Sequence, residues 1–106
     1  ADENSAAAFW IGIIYDEGGY GITKDAGEAF QWFIKGADMG DSNCQFMVGV
    51  NYEYGSGVSG DLEKAISWYQ KAAAQGDQNS KDALKRLNVK VSPKSSTSNT
   101  SGSSDR

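Results

Sequence analysis

Two residue types are missing or scarce in this 106-residue sequence, and both absences narrow the chemistry that the chain can support. It has no histidine and a single cysteine, Cys44. One cysteine cannot form an internal disulfide, and without histidine it has no partner for a metal site or a catalytic dyad. We therefore predict no enzyme activity, no catalytic residues, no metal and no cofactor.

Proline and long apolar runs are also scarce. Proline occurs once, at Pro93, and no apolar run approaches the length that a membrane span needs. From about Val89 onward the sequence is rich in Ser, Thr, Asn and Gly, a composition typical of disordered segments. We therefore predict no membrane span, one small folded domain over residues 1–88, and a disordered tail over residues 89–106.

Charge is unevenly distributed along the chain. Residues 1–60 carry nine acidic and two basic side chains, whereas residues 61–106 carry five acidic and eight basic ones. We expect this pattern to reflect a solvated surface, and the alternatives are steering of a charged partner and head-to-tail contact between copies. Because the whole chain is acidic and the basic residues between positions 81 and 94 lack interleaved aromatics, we predict no nucleic-acid binding.

What the sequence does contain is an internal repeat. Gly12, Tyr15 and Gly18 reappear 37 residues later, and nine positions between Ile22 and Asp41 reappear 36 residues later. A one-residue difference in loop length is what a duplicated helical hairpin tolerates best. The chain is therefore a tandem repeat, with repeat 1 at about 6–41 and repeat 2 at about 42–77.

Each repeat has the start and stop signals of two helices. Asp25 and Glu28 have the spacing of a capping box, Asp61 begins the equivalent helix, and Gly40 and Gly76 follow the helix ends as C-terminal caps. We predict five helices, at about 4–17, 25–38, 42–54, 61–75 and 78–88. The fifth lacks the repeat signature and exposes basic residues, so we predict that it is a polar capping helix.

Packing positions follow from spacing within the helices. The stripe expected to be buried on the second helix of repeat 2 consists of Leu62, Ala65, Trp68, Tyr69 and Ala72. Gly12 and Gly49 share one register in the first helices, and glycine costs a helix about 1 kcal/mol relative to alanine. The recurrence of glycine at this position despite that cost predicts a close contact with the neighbouring helix in each repeat. Cys44 faces its hairpin partner, so we predict that it packs rather than reacts.

The loop over residues 55–60 has the glycine spacing of a dinucleotide-binding turn. Such a turn follows a strand, whereas here a helix precedes it and the sister loop lacks the third glycine. We predict an interhelical turn.

The repeat pattern resembles the Sel-one-like repeat family, which is related to tetratricopeptide repeats. The matching residues in the second copy are Val48, Gly49, Tyr52, Gly55, Gly57, Val58, Asp61, Lys64, Ala65, Trp68, Tyr69, Lys71, Ala72, Ala73, Gly76 and Asp77. The first copy is looser, with Phe33 in place of tyrosine, Gly36 where the alanine pair begins, and a loop that is one residue longer.

This resemblance implies an all-α fold, a right-handed α/α superhelix of two helix-turn-helix repeats plus the capping helix. It also implies a scaffold that holds protein partners, commonly in bacterial exported, envelope or signalling proteins. About three repeats are normally needed for stability. We expect the missing buried area to come from the many aromatics, from the capping helix, or from a partner or second copy.

The partner-binding residues are expected on the concave face, which the first helices of related repeats form. They are Phe9, Ile13 and Asp16 from repeat 1 and Asn43, Phe46, Val50 and Glu53 from repeat 2. The two phenylalanines have core packing as an equal alternative. The expected ligand is an amphipathic helix or extended peptide with apolar anchors and some basic charge.

We therefore predict a protein-interaction adaptor. One alternative is a self-associating segment of a longer array, and one from another class is a small enzyme or a regulator of an envelope enzyme. The chain begins without Met, which suits both a mature product of signal-peptide cleavage and an excised fragment, and it favours export over a cytoplasmic location.

Overall fold

The structure, a computed structural model, describes residues 3–88 and contains five helices and no strand in that range. The helices are α1 (Glu3–Glu17), α2 (Ala26–Asp38), α3 (Ser42–Tyr54), α4 (Leu62–Ala74) and α5 (Gln78–Arg86). The predicted all-α fold is confirmed, and the boundaries agree within two residues. The tail predicted at 89–106 lies outside the described residues. Within residues 3–88, none of the helices has the length and apolarity that crossing a bilayer requires.

An aspartate caps the start of each helix from α2 to α5. The Asp25 carboxylate accepts the backbone N–H of Glu28 at 3.0 Å, and Asp61 accepts that of Lys64 at 3.2 Å. Asp41 and Asp77 do the same for α3 and α5. Each such cap contributes about 1 kcal/mol, because it satisfies a helix donor that has no carbonyl partner.

The predicted capping box at Asp25 is only half formed. A full box would give the Asp25 backbone N–H to the side chain of Glu28. Instead, this N–H donates to the Tyr15 carbonyl at 2.8 Å, and the Asp61 N–H donates to the Tyr52 carbonyl at 2.9 Å. In both repeats the donor therefore ties the second helix to the first.

Gly12 and Gly49 each lie under an aromatic ring of the hairpin partner. A Cβ on Gly12 would lie 2.5 Å from Cε1 of Phe33, and one on Gly49 would lie 2.6 Å from Cε1 of Tyr69. These distances are far shorter than van der Waals contact. The predicted close contact is confirmed. The group that approaches each glycine is an aromatic ring and not the backbone of the neighbouring helix.

The helices pack in chain order, α1 on α2, α2 on α3, α3 on α4 and α4 on α5. One buried cluster, which includes Phe33 and Val48, joins repeat 1 to α3, and a second, which includes Tyr69 and Leu84, joins repeat 2 to α5. The stripe predicted on α4 is wrong at Leu62, which is 51% exposed. Leu62 is the first residue of α4. Helical periodicity places it on the buried stripe, but the elements packed against α4 do not cover this end of the helix.

Candidate partner-binding site

Three of the seven predicted partner-binding residues line clefts, and they are divided between two separate ones. The N-terminal cleft, of about 500 Å³, is lined by Trp10, Ile13, Ile14, Glu17, Gly19 and Tyr20. The C-terminal cleft, of about 340 Å³, is lined by Phe46, Val50, Tyr54, Tyr69, Asn79, Asp82, Ala83 and Arg86. Ile13 lies in the first, and Phe46 and Val50 lie together in the second.

The other four predicted residues line neither cleft. Asn43 is exposed and Asp16 is half-buried. Phe9 packs against Phe33, with ring centroids 6.2 Å apart. Glu53 is paired within the protein, as described below. Their register on the first helices predicts one shared groove, but register does not show which walls the other helices and loops supply.

The C-terminal cleft lies between α3 and the capping helix. The rings of Phe46 and Tyr69 form an aromatic pair at its base, with centroids 5.7 Å apart. Tyr54 is 67% exposed. α5 contributes Asn79 and Arg86, which the sequence analysis did not include because it assigned α5 only a capping role. A peptide bound here would meet aromatic surface on one side and polar groups on the other.

Glu53 is held by groups from two other helices. The Tyr69 hydroxyl donates to it at 2.7 Å, and the Arg86 guanidinium donates from Nη1 at 2.7 Å and from Nη2 at 3.0 Å. The hydrogen bond from Arg86 lowers the pKa of Glu53 below its usual range, against a smaller opposing effect of burial. Burial, followed by the bond to Glu53, raises the pKa of Tyr69. This carboxylate therefore joins α3, α4 and α5 and is already satisfied within the protein.

The N-terminal cleft contains two exposed aromatics that the sequence analysis did not select. Trp10 is 62% exposed and Tyr20 is 92% exposed. The signal for Tyr20 was present, since it lies in the loop of repeat 1 that is one residue longer than its sister. Trp10 gave no signal, because its exposure depends on which helix face has a neighbour.

Cys44 has no reactive environment. Its side chain is fully buried, and burial, with a smaller contribution from the hydrogen bond of Asp41, raises the pKa of the thiol. Its Sγ lies 3.8 Å from the Ser5 carbonyl oxygen and presses against Gly36. A protonated thiol is a poor nucleophile. Residues 3–88 also contain no group of three or more His, Cys, Asp or Glu side chains that could hold a metal.

The loop over residues 55–60 is an interhelical turn, as predicted. Gly55 ends α3 in the left-handed conformation, with φ of 66°. Gly57 also has positive φ, and a Cβ there would collide with the Ala26 carbonyl. Glycine at 57 therefore lets the turn pack on the start of α2.

Two helical hairpins in sequence register, closed by a fifth helix, define an all-α helical-repeat protein of the solenoid type. The Sel1 repeat model matches residues 5–41 and 42–77. The chain belongs to the Sel1 repeat family, whose members are in general helical scaffolds for protein interaction.

Solved structures of the same family have the same fold. A Sel1 repeat protein from Oxalobacter formigenes is 35% identical with a TM-score of 0.77, covering 86% of this chain and 38% of that one. A protective antigen of uropathogenic Escherichia coli, which displays an SLR fold, is 35% identical with a TM-score of 0.75, covering 78% of this chain and 18% of that one. The chain thus spans well under half the length of either. Comparison with curated proteins gave no significant match.

Proposed function

We propose that this chain is a protein-interaction adaptor that binds a helix or extended peptide of a partner through the two clefts. One observation carries the proposal: Ile13 and Val50 occupy the same repeat position, 37 residues apart, and each lines a cleft beside exposed aromatic side chains. Two clefts on consecutive repeats can accept successive anchor side chains of one partner segment.

The exposure of aromatic side chains supports this proposal. Trp10 and Tyr20 in the N-terminal cleft and Tyr54 in the C-terminal cleft are all more than half exposed. Aromatic side chains dominate the energetics of protein interfaces because each buries a large area with few rotatable bonds. Such residues clustered at clefts are typical of a binding surface.

A second candidate is self-association through the free face of α1. Ala7 and Ile11 occupy the positions of Cys44 and Val48, which α3 buries against its neighbours. No described helix covers the equivalent face of α1, where Ala7 is exposed and Ile11 half-buried. Light scattering separates the candidates, since a monomer at micromolar concentration removes self-association.

Crosslinking followed by mass spectrometry of co-purified material tests the adaptor proposal. We expect Ile13→Glu and Val50→Glu to lose the partners that the wild type crosslinks, because each buries a charge in a cleft. Gln31→Glu is the matched control, since it adds the same charge at an exposed position of α2.

Ile13 and Val50 also contact the core, so their replacement can weaken the fold. Trp10→Ala and Tyr54→Ala change side chains that are more than half exposed, so we expect both variants to fold. Unchanged crosslinked partners in both alanine variants would overturn the proposal.

A further inference from the structure

We propose that the N-terminal cleft binds a cationic side chain, lysine or arginine, of the partner segment. The inference rests on the proposed function and adds the chemistry of one anchor. It is carried by four features of the cleft: two open aromatic rings, a carboxylate in the wall, the C-terminus of α1, and an aliphatic floor.

The two aromatic side chains reach the cleft from different elements. Trp10 comes from the middle of α1, and Tyr20 comes from the loop that follows α1. Tyr20 has a φ of 58° and lies between Gly19 and Gly21. Since the loop of repeat 2 is one residue shorter, the C-terminal cleft has no counterpart of Tyr20. The faces of aromatic rings carry partial negative charge and attract cations.

The wall and end of α1 add negative charge. Glu17, which is exposed, lines the cleft, and Asp16 precedes it. Both lie in the last turn of α1, which contains no basic residue. The C-terminus of a helix has a partial negative charge that favours cations. An uncharged apolar anchor placed here would desolvate the Glu17 carboxylate without pairing it.

The other two tryptophans of the chain each have a lysine ammonium group over the ring. The Lys35 ammonium lies 4.7 Å from the ring centroid of Trp32, and that of Lys71 lies 4.6 Å from Trp68. In each pair the lysine follows the tryptophan by three residues. The residue three after Trp10 is Ile13, and among residues 3–88 no lysine or arginine lies over the Trp10 ring.

The floor of the cleft suits a long side chain. Ile13 and Ile14 are aliphatic and partly buried, so they can contact the methylene groups of a lysine or arginine whose charged end lies near Glu17. A volume of about 500 Å³ is ample for such a side chain.

Nuclear magnetic resonance of the three indole N–H groups tests this inference directly. The probes are N-acetyl-arginine amide and N-acetyl-lysine amide, with N-acetyl-citrulline amide and N-acetyl-norleucine amide as neutral matches. We expect the cationic probes to shift the Trp10 signal with millimolar affinity, at least about threefold tighter than their neutral matches. Trp32 and Trp68, which already contact lysines, should stay unchanged.

Substitutions in the N-terminal cleft test which of its groups bind the cationic probes. Glu17→Gln and Tyr20→Leu should each weaken cation binding by about two- to fivefold, and added salt should weaken it further in the wild type. Glu28→Gln, at an exposed position of α2 outside the cleft, should leave the affinity unchanged.

Neutral probes that bind as tightly as cationic ones, or cationic probes that leave the Trp10 signal unshifted, would overturn the inference. Neither result would affect the adaptor proposal if Trp10→Ala or Tyr54→Ala still removed the crosslinked partner. Loss of the adaptor proposal, in turn, would appear as partners unchanged in those variants.

Discussion

The two repeats share one template and close their hairpins with different chemistry. In repeat 1, Phe33 lies over Gly12, and in repeat 2 Tyr69 lies over Gly49. Only the tyrosine carries a hydroxyl, and that hydroxyl donates to Glu53. The equivalent of Glu53 in repeat 1 is Asp16. Repeat 1 is therefore closed by apolar contacts, and repeat 2 adds a polar network.

The helix that follows each hairpin explains this difference. Repeat 1 is followed by α3, which buries Val48 and places Val50 where α5 has Arg86. Repeat 2 is followed by the capping helix, whose outer surface is exposed and charged. A charged residue such as Arg86 is acceptable there because half of its side chain remains in water while the guanidinium pairs with Glu53. The last helix thus carries a paired charge at the position where the internal helix α3 has Val50.

The largest expected effect tests whether the capping helix stabilises repeat 2 as α3 stabilises repeat 1. Leu84 on α5 is fully buried, so Leu84→Ala should lower the free energy of unfolding by about 2 to 5 kcal/mol. Leu62→Ala is the matched control, because Leu62 is half exposed and should cost less than about 0.5 kcal/mol. Urea denaturation measures both. Equal effects would mean that α5 does not contribute to the core.

The next effect concerns the helical glycines, where the two repeats should behave alike. Gly12→Ala and Gly49→Ala each force a methyl group against a buried ring, and overpacking of this kind costs about 1 to 3 kcal/mol. Gly19→Ala is the control, since a Cβ there meets nothing within 4 Å. Thermal denaturation compares the three variants. A stabilised Gly12→Ala would show that helix propensity outweighs the ring contact.

A smaller effect should distinguish the repeats. Tyr69→Phe removes the hydroxyl that donates a hydrogen bond to Glu53 and leaves the same side chain that repeat 1 has at Phe33. The free energy of unfolding should therefore fall by about 0.5 to 1.5 kcal/mol. The double variant Tyr69→Phe with Glu53→Ala should lose less than the sum of the single changes, because Glu53→Ala already removes the acceptor of this hydrogen bond. Strict additivity would contradict the hydrogen bond.

The smallest effect is a dependence on pH that arises from Glu53 in repeat 2. Arg86 lowers the pKa of Glu53 in the folded state, so the stabilisation is present above the unfolded pKa of about 4.3 and is lost as pH falls through the lower folded value. Wild type should therefore lose more stability than Glu53→Gln between pH 5 and strongly acidic pH, in urea titrations at each pH. Asp16→Asn is the matched change in repeat 1. Parallel curves for wild type and Glu53→Gln would contradict the pairing.

The sequence alone determined the repeat, the all-α class and the helix boundaries. These depend on local chemistry: an aspartate that accepts an N–H three residues later, and glycines at 40 and 76 that adopt φ of 94° and 96° after a helix. The close contacts at Gly12 and Gly49 were also predictable. Glycine is unfavourable within a helix, so its presence at the same position of both repeats indicates a packing requirement.

Which residues line a cleft, and which carboxylates have a partner within the protein, follows from the packing of the helices and not from the sequence pattern. Register on a helix states which side chains share a face, but not whether another element covers that face. For this reason Leu62 was expected inside and is exposed, Glu53 was expected to bind a partner and is paired with Arg86, and Trp10 was not selected as a binding residue although it lies open in the larger cleft. The exposure of Leu62 and Trp10 and the pairing of Glu53 depend on whether a residue distant in sequence packs against them. The spacing of residues within one helix does not predict such contacts.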